Sequence, residues 1–285
     1  MSNQFKQRLL MSLFSVLGLS ISIYYSYTPF FKPIFILLSA GVISFALAEY
    51  YHLARNKGFH PSAVSGISIS VIYTIAIGLS FYYPGLSAFS WLALLFSCIT
   101  LFLTFFNQQA SSLGNLAVTL FGIFYLTLPI SCGLRINYFF PESALSDGRL
   151  WLTYVLLVTK MTDIGGYFCG KMLGKNKLAP TISPKKTVEG ALGGLSASLL
   201  TSLIFSIVVS LFTLFKMTLF QSIWIGLTIS ILAQLGDLSE SLLKRDAGVK
   251  DSSHLPGLGG MLDILDSLVF TLPFLYLLLK MGVIG

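Results

Sequence analysis

Charge is scarce in this sequence. Only 10% of its 285 residues are Asp, Glu, Lys or Arg, whereas a soluble domain carries about 25%. Only an apolar solvent explains this deficit of charged residues. The composition therefore excludes a soluble globular protein. The residues present instead are 55% hydrophobic, and the mean hydropathy is +0.82. Because the apolar runs are long and show little polar alternation, they predict an integral membrane protein built from helices and not from a β-barrel.

Cysteine and histidine are scarce as well. The three cysteines stand apart within apolar runs, without a CxxC spacing, at Cys98, Cys132 and Cys169. The three histidines have no clustered partner either: His52, His60 and His254. These patterns argue against a metal site built from cysteine and histidine. We interpret the cysteines as packing residues in a reducing or membrane setting.

Nine segments are long and apolar enough to cross a membrane, which takes about 20 apolar residues. Their bounds are 9–28, 34–53, 63–83, 86–106, 112–134, 150–170, 190–214, 218–238 and 260–282. The first follows Lys6 and Arg8 as in a signal peptide, but no small-residue cleavage site comes after it, so we predict an uncleaved span. The predicted fold class is all-α, a polytopic bundle of about nine transmembrane helices.

The basic residues predict the orientation of the bundle, because Lys and Arg are enriched in cytoplasmic loops. With the N-terminus inside, twelve of the 18 Lys and Arg residues fall in inner segments, five in outer segments and one, Lys160, within a span. This bias predicts a cytoplasmic N-terminus. It also places two basic loops, 170–190 and 239–260, in the cytoplasm.

Acidic residues divide the chain unequally. Three of the 11 precede residue 150, and the other eight follow it together with both basic loops. We therefore predict two regions: a transmembrane scaffold of about five helices over residues 1–149, and a catalytic region of about four helices and two cytoplasmic loops over residues 150–285.

Carboxylates in the last spans occur at helical spacing. Asp163 lies three residues after Lys160, Asp266 lies three residues after Asp263, and Asp237 ends the eighth span. Residues three apart share a helix face. Even near helix ends these acids need counter-charges. Lys160 is the one Lys or Arg in their part of the predicted spans, since Lys280 lies at the opposite end of the ninth span. Oxygen ligands without nitrogen or sulfur indicate a hard cation such as Mg²⁺.

The two basic loops have the composition of phosphate-binding segments. Loop 170–190 carries five lysines, and loop 239–260 carries three basic residues and a glycine-rich end before a helix. Ammonium groups and exposed backbone N–H groups both bind phosphate. Together with the carboxylates, the loops predict phosphoryl or nucleotidyl transfer to or from a lipid at a membrane surface.

Ordered blocks of residues 150–285 resemble the phosphatidate cytidylyltransferases, also called CDP-diacylglycerol synthases. The segment Ser241–Ser267 is similar to the family signature S-x-x-K-R-x-x-G-x-K-D-S-G-x-x-x-P-G-H-G-G-x-x-D-R-x-D-S. ISPKKTVEGALGG at 182–194 is similar to a second hallmark, I-S-P-K-K-T-x-E-G-x-x-G-G. Asp163 with Tyr167 and Phe168 resembles the family's D-x-x-A-Y-F element. The combined match is highly specific, whereas residues 1–149 match only as a bundle of spans.

Two departures from the signature change polar positions. Leu258 stands where the family has His, and Ile264 stands where it has Arg. They remove a hydrogen-bond donor expected near a substrate phosphate and a positive charge expected near the aspartates. They do not remove a metal ligand. A modest shift in nucleotide handling or a reduced rate is the expected consequence.

The resemblance implies transfer of a cytidylyl group from CTP to phosphatidate in phospholipid biosynthesis, giving CDP-diacylglycerol and pyrophosphate. The catalytic residues it implies are Lys250, Asp263 and Asp266. Mg²⁺, with potassium as a second cation, would be bound by Asp237, Asp263 and Asp266. Substrate would be bound by Ser183, Lys185, Lys186, Thr187, Lys244, Arg245, Asp251 and Ser252. Lys160 and Asp163 would form a wall of the site.

The same resemblance implies the partners and the location. We expect CTP, phosphatidate and membrane lipids as partners, no nucleic acid, and a homodimer. We expect an integral protein of the inner, cytoplasmic membrane whose active site faces the cytoplasm.

Other interpretations stay open at this point. A CTP-dependent polyprenol or phytol kinase, an ion-coupled transporter and a catalytically weak relative each fit part of the pattern. The loop lysines also suit topology and anionic lipid, the paired aspartates suit a helix macrodipole, and Lys160 with Asp163 suits a structural pair. GGYFCGKM at 165–172 mimics a phosphate-binding loop but lacks its Ser or Thr and follows a helix. Gly166, Gly170 and Gly174 at four-residue spacing, and Gly190 with Gly194, instead predict close helix packing.

Overall fold

The computed structural model describes residues 16–106, 112–141, 146–213, 215–249 and 260–285. In the first half the helices are α1 (Val16–Tyr25), α2 (Phe31–Asn56), α3 (Ala63–Ser80), α4 (Phe89–Phe105), α5 (Ser112–Gly122) and α6 (Leu128–Asn137). A 3₁₀ turn, Pro84–Leu86, precedes α4, and a π-helical turn, Ile123–Thr127, joins α5 to α6. The second half has the elements α7 (Gly148–Leu173), β1 (Lys177–Ala179), β2 (Ser183–Thr187), α8 (Val188–Phe212), α9 (Leu219–Asp246), α10 (Met261–Leu265) and α11 (Leu268–Lys280). The predicted all-α class is confirmed.

Seven helical segments of the described chain are long and apolar enough to cross a membrane. They are Phe31–Asn56, Ala63–Ser80, Pro84–Phe105, Ser112–Asn137, Val188–Phe212, Leu219–Asp246 and Met261–Lys280. Each overlaps one of the nine predicted spans. α7 has 26 residues, about 39 Å at 1.5 Å per residue, but it carries charged side chains along its length. A polytopic helical membrane protein is confirmed, while the number nine and the cytoplasmic N-terminus stay predictions.

The chain divides into two compact units. The first contains Met1–Leu134 and Asp246–Leu265, and the second contains Arg135–Arg245 and Asp266–Gly285. The division into a scaffold over 1–149 and a catalytic region over 150–285 stays a prediction.

The first unit has an apolar core between α3, α4 and α5. Its core cluster consists of Ile69, Leu101, Phe105, Leu116 and Ile123. Polar side chains within this unit find partners across helices: the Tyr51 hydroxyl donates to the Thr119 carbonyl at 3.0 Å, and the Ser70 and Thr127 hydroxyls lie 2.6 Å apart. These bonds satisfy groups that would be costly to leave unpaired in an apolar setting.

The second unit is built on the close packing of α7 against α8. A Cβ atom added at Gly190 of α8 would lie 2.8 Å from the Gly166 carbonyl oxygen and 3.1 Å from the Gly170 Cα. Only glycine leaves room for two backbones at this separation. The predicted role of these glycines in helix packing is confirmed.

The chain between these two helices forms a β-hairpin, and its second strand lies in the second hallmark. β1 and β2 are antiparallel, with Lys177 opposite Thr187 and Ala179 opposite Ser183. The Glu189 carboxylate accepts hydrogen bonds from the Lys175 backbone N–H at 3.0 Å and fixes the start of the hairpin. The Thr187 hydroxyl oxygen accepts from the Gly190 N–H at 3.1 Å and caps α8. The basic loop at 170–190 is therefore an ordered structure that presents its lysines in a defined direction.

Candidate active site

A cavity of about 400 Å³ opens in the second unit, and its lining combines charged side chains with a larger apolar surface. Side chains from α7, the hairpin, α8 and α9 line it. Five of them are carboxylates or amines: Asp163, Lys171, Lys185, Lys186 and Asp237. The three ammonium groups outnumber the two carboxylates, which favours an anionic ligand. Among the described residues of the second hallmark, the lining includes Lys185, Lys186 and Thr187 but not Ser183.

Asp237 on α9 connects this cavity to a cluster of carboxylates. Its Oδ2 atom lies 2.8 Å from Lys186 Nζ, and its Oδ1 accepts from the Ser241 hydroxyl at 3.4 Å. Carboxylate oxygens of Asp237, Glu240 and Asp266 all lie within 4.8 Å of one another. Glu240 is fully buried and Asp266 is only 7% exposed, so two of the three acids are removed from water, whereas Asp237 is partly exposed.

Backbone contact between α9 and the chain at Asp266 explains this closeness. A Cβ atom added at Gly236 would collide with the Asp266 carbonyl oxygen and would lie 3.3 Å from the Ser267 Cα. Glycine at position 236 therefore lets α9 lie directly against the segment that carries Asp266. Since Asp237 is the next residue on α9, its carboxylate comes within reach of the Asp266 carboxylate.

The carboxylate cluster fits a hard divalent cation. Its three donors are carboxylate oxygens, which are the ligands that Mg²⁺ prefers. Mg²⁺ usually binds through one or two carboxylates and completes its shell with water and substrate phosphate, so three nearby acids suffice. The structure therefore contains an acidic cluster able to hold a metal ion.

Glu240 was not among the residues predicted to form the site. It follows Asp237 by three residues in the stretch GDLSES, so it lies on the same face of α9. Its Oε2 atom is 2.7 Å from Lys244 Nζ, and the Lys244 side chain is 13% exposed. The i, i+3 spacing was the available signal. Lys244, predicted to bind substrate, contacts this buried carboxylate.

Lys160 and Asp163 lie in a polar triangle with Ser267. Lys160 Nζ is 3.3 Å from Asp163 Oδ2 and 3.0 Å from Ser267 Oγ, which in turn donates to Asp163 Oδ2 at 3.1 Å. Ser267 is the residue after Asp266, and Asp163 also lines the cavity. The triangle thus links α7 to the chain beside the acidic cluster, and the role of Lys160 and Asp163 as a wall of the site stays a prediction.

The remaining predicted site residues have other surroundings. Arg245 donates through Nε to the Ile182 carbonyl at 3.1 Å, next to the hairpin. Asp263 belongs to the first unit, where its Oδ2 accepts from the Gly260 N–H at 2.7 Å. Three predicted residues lie outside the described part of the chain: Lys250, Asp251 and Ser252.

The fold and the site define a class of protein: a helical integral membrane enzyme with a carboxylate cluster beside a lysine-lined cavity. The profile of the cytidylyltransferase family matches residues 6–282. The chain belongs to this family of nucleotidyltransferases.

Similarity to individual proteins extends over most of the chain. A phosphatidate cytidylyltransferase of Synechocystis is 35% identical over 260 residues, 83% of this chain and 85% of the relative. One of Chlamydia pneumoniae is 35% identical over 241 residues, 81% of this chain and 77% of the relative. One of Staphylococcus haemolyticus is 41% identical over 184 residues, 64% of this chain and 66% of the relative. The resemblance expected from the signature is confirmed.

Proposed function

We propose that this enzyme transfers the cytidylyl group of CTP to phosphatidate, leaving CDP-diacylglycerol in the membrane and releasing pyrophosphate. Its family membership and the names of its relatives support this activity. The observation that carries it structurally is the double role of Asp237. This one side chain belongs to the acidic cluster and also contacts Lys186 in the cavity wall. A metal-binding group and a phosphate-binding group are therefore adjacent, as nucleotidyl transfer requires.

The reaction needs charge neutralisation more than a base. A headgroup oxygen of phosphatidate attacks the α-phosphorus of CTP, a new P–O bond forms, and the bond from the α-phosphorus to the oxygen bridging to the β-phosphorus breaks. The electron pair leaves with pyrophosphate. A phosphate monoester has a second pKa of about 6, so the headgroup is already a nucleophile near neutral pH. The main barrier is repulsion between two anions.

The cavity lysines supply the positive charge. Lys185 and Lys186 on β2 and Lys171 on α7 line one cavity and would bind the phosphates of the nucleotide or the headgroup. Lys186 exchanges part of its contact with Asp237 for a phosphate oxygen. Charge-assisted hydrogen bonds of this kind contribute about 1.5–3 kcal/mol each.

The acidic cluster would hold the metal. We assign Mg²⁺ to Asp237, Glu240 and Asp266, with a potassium ion as the second cation that the family resemblance implies. A bound divalent ion supplies charge neutralisation between the triphosphate and the headgroup. Asp263 stays a predicted metal ligand and catalytic residue. Lys250 stays a predicted catalytic residue, and the substrate-binding roles of Ser183, Thr187, Lys244, Arg245, Asp251 and Ser252 stay predictions.

The location follows from the same proposal. We propose that the protein lies in the inner membrane of a bacterium with its site on the cytoplasmic side, where CTP is available. The relatives' bacterial origin and the predicted excess of inner basic residues support this. A homodimer remains part of the proposal.

Labelled CTP tests the activity. Purified protein in mixed micelles containing phosphatidate and Mg²⁺ is given CTP labelled either in the cytidine or in the γ-phosphate. We expect the cytidine label in lipid and the γ-phosphate label in pyrophosphate. The γ-phosphate label in lipid would identify a kinase instead. Uptake of substrate into vesicles without pyrophosphate release would identify a transporter.

A pair of variants tests the site in the same assay. Asp266→Asn is expected to lower turnover by about 100-fold or more, because even residues behind metal ligands affect activity by 10–100-fold. Asp147→Asn is the matched control, since Asp147 caps α7 at a position where Asn also caps well. Equal activity of the two variants would contradict the assignment of the acidic cluster.

A further inference from the structure

Glu49 connects α2 to the amino end of α10. Its Oε1 atom accepts a hydrogen bond from the Met261 N–H at 3.0 Å, and its Oε2 accepts from the Leu262 N–H at 2.8 Å. Both elements belong to the first unit. Glu49 is 212 residues away from Met261 in sequence, and it is one of only three acids before residue 150. A carboxylate in a region predicted to be scaffold therefore contacts the family signature directly.

Two carboxylates together accept hydrogen bonds from the backbone N–H groups at the start of α10. Glu49 accepts from Met261 and Leu262, and Asp263 accepts from Gly260 at 2.7 Å. The first N–H groups of a helix have no partner within the helix. A carboxylate at that end also complements the helix macrodipole. These bonds explain how α10 can start at Met261 in an apolar protein.

α10 depends on such contacts because it is short. It has five residues, whereas isolated helices below about 12–15 residues are marginal in water. Its buried side chains, Leu262 and Leu265, are 0% and 7% exposed. Burial of these two leucines keeps α10 packed within the first unit. The bidentate contact with Glu49 fixes where the first turn of α10 lies along α2.

The position of α10 matters because of what it carries. Asp263 is its third residue, and the chain runs from Leu265 directly into Asp266. A shift of the first turn would move the Asp263 carboxylate. Residues that orient metal-binding carboxylates typically change metal affinity by 10–100-fold when they are replaced.

We propose that Glu49 is a positioning residue for the predicted metal ligand Asp263: it holds the amino end of α10 and thereby sets the position of the Asp263 carboxylate. The metal part of this inference rests on the proposed function, whereas the contact of Glu49 with α10 does not. Glu49→Gln is the informative change. The carboxamide keeps the size of the side chain but places an NH₂ donor against a backbone N–H donor.

Hydrogen exchange of the metal-free protein tests the contact. The amides of residues 260–265 are expected to exchange about tenfold faster in Glu49→Gln, the effect of losing roughly one hydrogen bond. Asp246→Asn is the matched control in the same unit, since Asp246 forms an exposed ion pair with Lys57. It should leave exchange in 260–265 unchanged. Wild-type exchange in Glu49→Gln would overturn the proposal.

Binding of Mn²⁺ alone, followed by the electron paramagnetic resonance of the free ion, tests the positioning. We expect the dissociation constant to rise about tenfold in Glu49→Gln and to recover in part in Glu49→Asp, which keeps the charge with a shorter reach. Faster exchange with unchanged Mn²⁺ affinity would show a structural contact only and would overturn the positioning role.

The two proposals fail in different ways. Absence of cytidine from lipid in the wild-type assay would contradict the cytidylyltransferase activity, but both measurements on Glu49 use neither CTP nor phosphatidate. Where Glu49→Gln gives too little folded protein, Glu49→Met, which keeps the length of the side chain without its acceptor oxygens, is measured by the same two methods. Wild-type values in both would then overturn the proposal.

Discussion

Lys186 Nζ lies 2.8 Å from Asp237 Oδ2, and this ion pair joins the hairpin of the second hallmark to the acidic cluster on α9. The two side chains are 24% and 35% exposed, so the pair is partly shielded from water. Each partner has a second task in the proposed reaction: Lys186 binds phosphate, and Asp237 binds metal. The pair holds both groups in place before substrate arrives.

Replacement of Lys186 should therefore weaken nucleotide use. In Lys186→Gln we expect kcat/KM for CTP to fall by about 10–100-fold, the value of one or two charge-assisted hydrogen bonds. Lys186→Arg keeps the charge and should lose less. The measurement is the initial rate of pyrophosphate release as a function of CTP concentration.

Lys177→Gln is the control for this prediction. Lys177 lies on β1 of the same hairpin, and its side chain is exposed. Its replacement removes the same charge from the same loop without touching the cavity. An equal loss of kcat/KM in both variants would mean that the hairpin acts through its overall charge and not through Lys186.

The sequence predicted the parts of this site that depend on local patterns. Helical periodicity, the scarcity of charge and the two hallmark motifs predicted the membrane fold and the family, and they selected Asp237, Asp266 and Lys186, which the structure brings close together. The hairpin could not be predicted, because the segment has no alternation of apolar and polar residues and no short turn of a favoured type. Its strands are fixed by Glu189 and by packing beside α7.

Contacts between residues far apart in the sequence could not be predicted either. The contact of Glu49 with α10 joins residues more than 200 positions apart, and no periodicity within either segment encodes it. Glu240 was closer to prediction, because it shares a face of α9 with Asp237. Its burial beside Lys244 depends on the tertiary fold and made it a candidate metal ligand only in the structure.

A double variant can separate metal binding by Glu240 from the contribution of Glu240 to stability. Glu240→Gln removes the carboxylate that faces Lys244, and breaking a buried pair costs about 3–5 kcal/mol. We expect a lower melting temperature in detergent and a loss of Mn²⁺ affinity. Adding Lys244→Met should restore much of the stability, because no uncompensated charge then remains, but should not restore Mn²⁺ binding. Recovery of both properties would show that Glu240 is not a ligand.

Thr187 offers a test between capping and substrate binding. Its hydroxyl oxygen accepts from the Gly190 N–H at 3.1 Å, and the residue is 6% exposed. Thr187→Val should therefore lower the stability by about 1 kcal/mol, the usual effect of losing an N-cap. Thr187→Ser keeps the hydroxyl and should retain most of the stability. A higher KM for CTP in Thr187→Val at unchanged melting temperature would instead indicate a direct role in binding the nucleotide.

Gly236 tests whether the closeness of α9 to Asp266 is required for activity. In an ordinary helix interior, Gly→Ala stabilises by up to about 1 kcal/mol. In Gly236→Ala the new Cβ would collide with the Asp266 carbonyl oxygen, so α9 and the Asp266 segment must separate. We expect Mn²⁺ affinity and turnover both to fall by at least about tenfold, since the carboxylates of Asp237 and Asp266 would move apart.

Gly41→Ala supplies the comparison for Gly236. Gly41 lies within α2, and a Cβ atom there would meet nothing within 4 Å. Its replacement should leave turnover and Mn²⁺ affinity unchanged and raise the melting temperature slightly. If Gly236→Ala behaved in the same way, the direct backbone contact would not set the geometry of the acidic cluster. A selective loss in Gly236→Ala, with turnover and metal affinity falling together, would tie the packing of one glycine to the metal site.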